Sequence, residues 1–121
     1  MKILIVDDNA AIRRLIATIV QPFGCEIREC ADGADALSAY QAQQPDLVLM
    51  DVSMSEVDGI SATRQIRAAD PAAKIVIVTN YDDEKLRRAA ASAGACGYVL
   101  KDSLLDLRQW FETSTLEARN K

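Results

Sequence analysis

The feature that most constrains the fold of this chain is a strand-like segment followed by a helix-like segment, repeated five times within 121 residues. Three of the strand-like segments contain unbroken apolar runs, at 3–6, 47–50 and 75–78, which are typical of strands covered on both faces of a parallel sheet. Five such repeats predict right-handed crossovers with helices on both faces, and therefore one doubly wound α/β domain. The predicted strands are 2–6, 26–30, 46–50, 74–78 and 97–100.

Helical periodicity is clearest between residues 12 and 20, where apolar residues recur at i, i+3, i+4, i+7 and i+8. Segments 34–43 and 57–69 are also helix-like, and a proline follows each of them. Segment 86–93 ends at Gly94, a residue that readily takes the left-handed conformation found after helices. The stripe predicted to be buried in the first helix consists of Ile12, Leu15, Ile16, Ile19 and Val20.

The fifth helix is predicted to begin at Ser103, whose hydroxyl would cap it, with Asp106 completing a capping-box pattern. The polar stretch 112–121 is expected to fray or to begin a linker. The domain is accordingly predicted to span residues 1–118, with 119–121 as a tail or linker. Three apolar residues of this helix are predicted to face the core: Leu104, Leu107 and Phe111.

Composition excludes several classes of function. A net charge of −4 and a pI near 4.8 argue against direct nucleic-acid binding, which requires a basic surface. No apolar run approaches the roughly 20 residues that span a bilayer, and no signal peptide is recognisable, so a cytoplasmic protein is predicted. Because the chain has no histidine, Ser-His and Cys-His pairs and imidazole metal sites are excluded. Cys25, Cys30 and Cys96 are predicted to be reduced, partly buried thiols.

Charged and hydroxyl side chains stand at the carboxyl ends of the predicted strands, where doubly wound sheets place their sites. They are Asp7, Asp8, Asp51, Thr79 and Lys101. Carboxylates brought together there would repel by about 4 kcal/mol per close pair, a cost that a divalent cation removes. Oxygen ligands favour Mg²⁺, or Mn²⁺ in its place, over Zn²⁺. A cation, an amine and a hydroxyl around Asp51 suit phosphoryl transfer to that carboxylate.

In an ordered set of motifs the chain resembles bacterial response-regulator receiver domains over about residues 2–118. The motifs are Ile5-Val6-Asp7-Asp8-Asn9, Ala31-Asp32-Gly33-Ala34-Asp35-Ala36-Leu37, Pro45-Asp46-Leu47-Val48-Leu49-Met50-Asp51, Met54 through Asp58-Gly59, Val78-Thr79, and Gly97-Tyr98-Val99-Leu100-Lys101. The resemblance implies a flavodoxin-like sheet of order 2-1-3-4-5 with five helices.

The resemblance also implies a role for each site residue. Asp51 would be the phosphoacceptor, and Mg²⁺ would be held by Asp51, by Asp8 directly, by Asp7 mainly through water, and by the main-chain carbonyl of Ser53. The other implied roles are those of Thr79 and Lys101, which would hold the phosphoryl oxygens, and of Tyr98, which would be the switching partner of Thr79. No bound organic cofactor is implied.

By the same resemblance the protein is a signalling domain that catalyses only its own phosphorylation and dephosphorylation. A histidine kinase or phosphotransfer protein would donate the phosphoryl group. The face formed by the fourth helix, fifth strand and fifth helix would contact an output domain, a partner or a second protomer of a phosphorylation-dependent homodimer. Candidate contacts on it are Lys85, Arg87, Arg88 and Trp110.

The sequence around Lys101-Asp102-Ser103 resembles receivers of regulators with a helix-turn-helix output domain, which favours a receiver from a longer transcription regulator over a stand-alone protein. The chain departs from the family at Ser55 and Asp102, where proline is common, and at Asn80, where a small residue is common. Asp102 argues against a cis peptide after Lys101, and Asn80 is expected to narrow access to the phosphoryl group.

Three alternatives remain open. A hydrolase of the haloacid-dehalogenase type also uses a strand-end aspartate and Mg²⁺, but Asn9 stands where its second acidic residue is expected. A flavodoxin-type binding module would need a first loop that accepts phosphate, whereas this loop is acidic. A receiver-like domain that acts by protein contacts alone would be expected to lack a site residue, and none is missing.

Overall fold

In the computed structural model, residues 1–53 and 57–111 are described, and within them five parallel strands form one sheet of order β2-β1-β3-β4-β5. Reversal of the strand order beside β1 makes this a doubly wound sheet, which confirms the predicted flavodoxin-like α/β fold in a single domain. The strands are β1 (Lys2–Val6), β2 (Glu26–Cys30), β3 (Leu47–Asp51), β4 (Ile75–Thr79) and β5 (Gly97–Leu100).

Helices connect the strands and cover both faces of the sheet. Four of them are α-helices, and the fifth helical segment begins as a 3-10 helix over Lys101–Leu107 and is α-helical at 108–111. The α-helices are α1 (Ala10–Val20), α2 (Ala36–Gln43), α3 (Gly59–Ala69) and α4 (Glu84–Ala93), and shorter 3-10 turns lie at Gln21–Phe23 and Gly33–Asp35.

The core consists of two apolar layers, one on each face of the sheet. Alternate residues of the central strands enter opposite layers, so that Leu4 of β1 packs with α2, α3 and α4 while Ile3 packs with α1 and the fifth helical segment. Every residue of β3 and β4 is buried, as the apolar runs predict for strands covered on both faces. The sheet is therefore a rigid support for side chains that project from its ends.

Helix ends follow the expected chemistry in most places. The Asn9 side chain accepts hydrogen bonds from two main-chain N–H groups at the start of α1, and Asp58 and Asp83 accept similar bonds at the starts of α3 and α4. Gly94 ends α4 with a φ of 104°, in the left-handed region, as predicted.

Two strands end one residue later than predicted. Asp51 is the last residue of β3 and Thr79 the last of β4, because each continues the ladder, Asp51 opposite Val78 and Thr79 opposite Leu100. The main chains of both polar residues are thus part of the sheet.

Two helical predictions are wrong. Leu15 was placed on the buried stripe of α1 but is 47% exposed, because it lies about 100° around the helix from Ile16, which faces the sheet. Ser103 does not cap the fifth helix. A first helical turn begins two residues earlier, at Lys101, and a kink at Ser103 (φ −127°, ψ 39°) separates it from the next turn. The Ser103 hydroxyl lies 3.5 Å from Asp102 Oδ1 rather than accepting from a main-chain N–H. The predicted burial of Leu104, Leu107 and Phe111 is confirmed.

The remaining predictions about local structure have mixed outcomes. Cys25 is half-buried and Cys30 buried, as expected, but Cys96 is exposed, and all three thiols are free. The bond after Lys101 is trans, since the described residues contain no cis peptide. No helix in those residues has both the length and the apolar character needed to cross a membrane. The predicted tail and linker region after Phe111, and the loop residues Met54 and Ser55, lie outside the described residues.

Candidate functional site

Three aspartates meet at the edge of the sheet where the strands end. One carboxylate oxygen from each of Asp7, Asp8 and Asp51 lies within 4.8 Å of the other two. The fold brings them together because Asp7 directly follows β1, Asp51 ends the adjacent strand β3, and Asp8 follows Asp7. Asp7 and Asp51 are 1% and 4% exposed, whereas Asp8 is open to solvent. Two of the three carboxylates have therefore lost most of their hydration.

Lys101 supplies a positive charge to this cluster. Its ammonium Nζ lies 3.0 Å from Asp7 Oδ2 and 3.0 Å from Asp51 Oδ1, and its side chain is 11% exposed. Burial alone would lower the pKa of Lys101, but hydrogen bonds to the two carboxylates outweigh it, and the pKa is raised. Burial raises the pKa of Asp51, an effect that the Lys101 hydrogen bond only partly offsets and that the charge of Asp7 reinforces.

The cluster has more negative than positive charge. Ionised Asp7, Asp8 and Asp51 carry three negative charges against the single charge of Lys101. Hard oxygen donors with an exposed member are the ligand set that Mg²⁺ or Mn²⁺ favours, and solvent can complete the coordination shell. The residues present therefore fit a divalent cation.

Two other predicted site residues, Thr79 and Tyr98, meet through the main chain of Tyr81. Thr79, at the end of β4, is 1% exposed, and its Oγ1 accepts a 3.3 Å hydrogen bond from the Tyr81 N–H. The Tyr98 hydroxyl, from β5, donates to the Tyr81 carbonyl oxygen. One peptide segment of the β4–α4 loop thus connects the hydroxyls of Thr79 and Tyr98.

Arg87 of α4 covers the other side of Tyr98. Its guanidinium carbon lies 4.3 Å from the centre of the Tyr98 ring, and its Nη2 is 3.0 Å from Asp82 Oδ1. Of the other predicted contacts on this face, Lys85 and Arg88 are exposed, and Arg88 pairs with Glu84 of its own helix.

Trp110, the remaining predicted contact on this face, packs over β5. A Cβ atom placed on Gly97 would come within 2.3 Å of the Trp110 ring, so Gly97 allows the indole to lie directly against the strand. The indole is therefore partly a packing residue rather than a freely exposed contact.

Two residues that shape the site, Gly59 and Arg13, had no role predicted for them from the sequence. A Cβ atom on Gly59 would lie 1.9 Å from the Asp51 carbonyl oxygen, so only glycine lets the start of α3 approach the end of β3 this closely. The Asp58-Gly59 pair was a motif but carried no assigned role. Arg13 donates to the main-chain carbonyl of Asp7 at 2.6 Å, and no motif in the sequence predicts that contact.

A cavity of about 990 Å³ lies elsewhere, at the opposite edge of the sheet, where the strands begin. Its lining includes Tyr40, Asp70, Lys74, Cys96 and Trp110. None of the carboxylates of the cluster lines it, and its size does not identify it as the functional site, since the concentration of buried charge lies at the other edge.

The sequence of this chain matches one family of known proteins over most of its length. Residues 3–111 match the family described as response regulator receiver domain. The chemotaxis protein CheY of Bacillus subtilis (strain 168) is 36% identical over 121 residues, covering 99% of this chain and 95% of that protein. The probable transcriptional regulator ycf27 of Cyanophora paradoxa is 35% identical over 118 residues, which cover 98% of this chain but 46% of that protein.

A solved structure extends the comparison to three dimensions. The two-component response regulator of the LuxR family from Aurantimonas sp. SI85-9A1 superposes with a TM-score of 0.87 at 35% identity, covering 93% of this chain and 82% of that one. The family match spans nearly all of the described residues. The solved structure has the same fold at 35% sequence identity. The chain belongs to the response regulator receiver domain family.

Proposed function

We propose that the Asp51 carboxylate accepts a phosphoryl group with the help of a divalent cation, and that this modification is the signal the domain transmits. The observation that carries the proposal is the position of Asp51: it ends a buried central strand, within 4.8 Å of two further carboxylates and 3.0 Å from the Lys101 ammonium. Such a surplus of buried negative charge has no structural benefit of its own, and family membership makes a signalling role the natural one.

The chemistry follows from the contacts of Asp51. Lys101 holds Oδ1, which leaves Oδ2 as the oxygen that attacks phosphorus. A bond forms between Asp51 Oδ2 and phosphorus while the bond from phosphorus to the donor group breaks, and the donor group departs with the electron pair. The Lys101 ammonium then faces the new phosphoryl oxygens as well as the carboxylate, and offsets the charge they bring. The hydroxyl of Thr79, at the adjacent strand end, is assigned to the same phosphoryl oxygens.

Asp8 and Asp51, the Ser53 carbonyl and, through water, Asp7 are the groups that would hold Mg²⁺, or Mn²⁺ in its place. When bound, the cation supplies neutralisation of charge on the carboxylates and on the transferring oxygens. Ser53 stands two residues beyond Asp51 and is exposed, in a loop that leads to residues outside the described part of the chain. Its role rests on the resemblance of the sequence to the family.

Transmission of the signal is assigned to Thr79 and Tyr98. A phosphoryl group on Asp51 offers Thr79 a stronger acceptor than any neutral oxygen, so its hydroxyl moves toward it and its contact with the Tyr81 N–H changes. Because the Tyr98 hydroxyl is bound to the carbonyl of Tyr81, the ring is biased toward a different position. The readout is then the face formed by α4, β5 and the fifth helical segment.

The partners follow from this assignment. A histidine kinase or phosphotransfer protein donates the phosphoryl group, and the α4 face contacts an output domain, another protein or a second protomer. The chain matches nearly the full length of one relative, a chemotaxis protein, and 46% of another, a transcriptional regulator. We favour control of transcription through an attached output domain, with the receiver extending over residues 1–118. Direct binding of nucleic acid by this domain is not part of the proposal.

The experiment is phosphorylation by acetyl phosphate, with and without Mg²⁺, read as intact mass for the wild type, Asp51→Asn and the control Asp102→Asn. Asp102 is exposed and next to Lys101, but it is not one of the clustered carboxylates. A Mg²⁺-dependent gain of one phosphoryl mass is expected in the wild type and the control and not in Asp51→Asn. Absence of any gain, together with no spectral response to beryllofluoride, would overturn the proposal.

Family membership weighs against the dehalogenase-type hydrolase and the flavodoxin-type binding module. The receiver-like domain that acts by protein contacts alone is the reading to which a negative result would lead.

A further inference from the structure

Arg13 is a half-buried arginine that connects three elements beside the carboxylate cluster. It lies at the end of the first turn of α1, and its side chain is 17% exposed. Its Nη1 donates to the main-chain carbonyl of Asp7 at 2.6 Å, and its Nε donates to Glu29 Oε1, on β2, at 3.0 Å. The two contacts hold the guanidinium plane in one orientation between α1, β2 and the end of β1.

Arg13 supplies the donor to the main-chain carbonyl of Asp7. The Asp7 N–H donates to the Cys30 carbonyl at 3.0 Å, Oδ1 accepts from the Asn9 N–H at 2.9 Å, and Oδ2 faces Lys101 at 3.0 Å. The remaining polar atom is the carbonyl oxygen, and Arg13 donates to it. Because Asp7 is 1% exposed, water cannot easily replace a donor to this residue.

The Asp7 carbonyl matters for a reason beyond its own hydrogen bond. It belongs to the planar peptide that joins Asp7 to Asp8, so a donor that fixes the direction of the carbonyl also fixes the plane from which the Asp8 main chain leaves. Asp8 is exposed, and its carboxylate oxygen must nevertheless lie within 4.8 Å of those of Asp7 and Asp51. Arg13 can therefore orient Asp8 without touching its carboxylate.

The charge of Arg13 is already matched by Glu29, at 3.0 Å. An effect of Arg13 on the cluster should consequently depend on the two-point geometry of the guanidinium rather than on a positive charge alone. Lysine could retain the charge, but it could not donate to the carbonyl and to Glu29 in the same fixed plane.

We propose that Arg13, held by Glu29, is a positioning residue for the divalent cation: it sets the Asp7–Asp8 peptide so that both carboxylates face Asp51. This inference rests on the proposed function of the cluster. Groups that orient metal ligands from outside the coordination shell typically change metal affinity by about 10-fold to 100-fold when they are removed.

The test is Mg²⁺ binding to the unphosphorylated protein, measured by calorimetry and by the amide NMR signals of the β1–α1 loop. Arg13→Ala and Arg13→Lys are both expected to weaken binding by about 10-fold. Arg14→Ala is the matched control, since Arg14 is the next residue of the same helix and is exposed. It should leave the affinity within about twofold of the wild type, the scatter expected for a residue without contact to the ligands.

A second measurement separates positioning from a general loss of structure. The Mg²⁺ concentration that half-saturates phosphorylation by acetyl phosphate should rise in Arg13→Lys, while the extent of phosphorylation at saturating Mg²⁺ stays at the wild-type value. Glu29→Ala, which removes the oxygen that accepts from Arg13 Nε, should weaken Mg²⁺ binding in the wild-type background and have no further effect in Arg13→Ala, because Glu29 acts through Arg13.

Wild-type Mg²⁺ affinity in Arg13→Lys would overturn the inference, because charge alone would then suffice. A lowered phosphorylation plateau at saturating Mg²⁺ would also overturn it, in favour of a structural role. If the wild type binds no Mg²⁺, the proposed function of the cluster fails first, and this result is distinct from wild-type affinity in the variants.

Discussion

The two ends of the sheet use the same kinds of side chain in opposite ways. Where the strands end, Lys101 faces two buried carboxylates, with Asp8 close by, and negative charge is in excess. Where the strands begin, a single acid, Asp70, is held by two neutral donors: the Tyr40 hydroxyl donates to its Oδ2 at 2.6 Å, and the Ala72 N–H donates to its Oδ1.

The pKa values of the two acids move in opposite directions. Burial raises the pKa of Asp51 despite the nearby lysine, whereas the Tyr40 hydrogen bond lowers the pKa of Asp70. An acid with a raised pKa is destabilised as an anion in the fold, and an acid with a lowered pKa is stabilised. The comparison teaches that the strand-end cluster is maintained at a cost in stability, which is the expected signature of a binding site, while the Tyr40–Asp70 pair supports the fold.

The largest expected effect comes from a substitution that disrupts the strand-end cluster. Lys101→Met removes the cation that faces Asp7 and Asp51, and should lower the free energy of unfolding without metal by about 2 kcal/mol, since buried anions would lose their partner. Mg²⁺ should restore part of the loss. Urea unfolding with and without Mg²⁺ measures both effects, with the exposed Lys85→Met as control. Equal stability of Lys101→Met and the wild type without metal would contradict the conclusion that Lys101 stabilises the buried carboxylates of the cluster.

Asp51→Asn should change the free energy of unfolding in the opposite direction. Without metal near neutral pH it removes one of the crowded anions and should raise the free energy of unfolding by about 1 kcal/mol. Because the pKa of Asp51 is raised from 3.8 in the fold, its ionisation penalty is absent below that value and develops as pH rises through the native pKa. The advantage of Asp51→Asn should therefore grow with pH over the same interval.

Mg²⁺ provides the control for Asp51→Asn. A cation that binds the wild type more tightly than the variant stabilises the wild type more, so saturating Mg²⁺ should reduce or reverse the difference between them. Chemical unfolding between pH 4 and 7, with and without Mg²⁺, measures the trend. A variant less stable than the wild type in metal-free buffer would show that Asp51 supports the fold.

Tyr40→Phe tests the opposite edge of the sheet. It should lower the free energy of unfolding by about 1 kcal/mol, the usual contribution of one hydrogen bond. Burial and the Asp70 hydrogen bond raise the pKa of Tyr40 from 10.0 to about 12. The stabilisation is therefore complete below pH 10.0 and is lost as pH rises through about 12. A tyrosinate absorbance titration should lose its highest-pH transition in Tyr40→Phe, and Mg²⁺ affinity should not change.

Asp70→Asn is expected to have the smallest effect, because Asp70 is only half-buried and solvent weakens its contacts. It should lower stability above the usual pKa of an aspartate, and the difference from the wild type should disappear as pH falls through the lowered native pKa. In metal-free buffer, the change in the free energy of unfolding should be opposite in sign to that of Asp51→Asn. This pair of variants therefore tests the comparison of the two edges most directly. Unfolding midpoints of the two variants at neutral pH decide it, and a shared sign would contradict it.

Much of this architecture could be predicted because it depends on local pattern and on one rule of topology. Apolar runs locate β1, β3 and β4, and the rule that parallel strands end at one edge brings Asp7, Asp51 and Lys101 together. The carboxylates, the lysine and the threonine of the site were named because their type and their place after strands are both visible in the sequence, whereas Ser53 and Tyr98 were named from the family resemblance. Their roles in phosphoryl transfer and switching stay predictions.

What could not be predicted depends on contacts between distant segments. The Arg13–Glu29 contact requires the register of β2 against β1 and the rotation of α1, neither of which periodicity supplies. Leu15 was misplaced because a stripe of apolar residues can be wider than the face that the sheet covers. Ser103 is a residue type that often caps helices, but its hydroxyl lies by Asp102 Oδ1, and the helical segment begins at Lys101, whose ammonium contacts Asp7 and Asp51.

The link between Thr79 and Tyr98 uses main-chain atoms of Tyr81 rather than its side chain. Every residue except proline provides the same N–H and carbonyl, so replacement of the Tyr81 side chain leaves both hydrogen bonds available. That side chain is 57% exposed and projects from the loop between β4 and α4. A substitution at position 81 therefore changes the exposed surface of this loop without removing the connection between Thr79 and Tyr98.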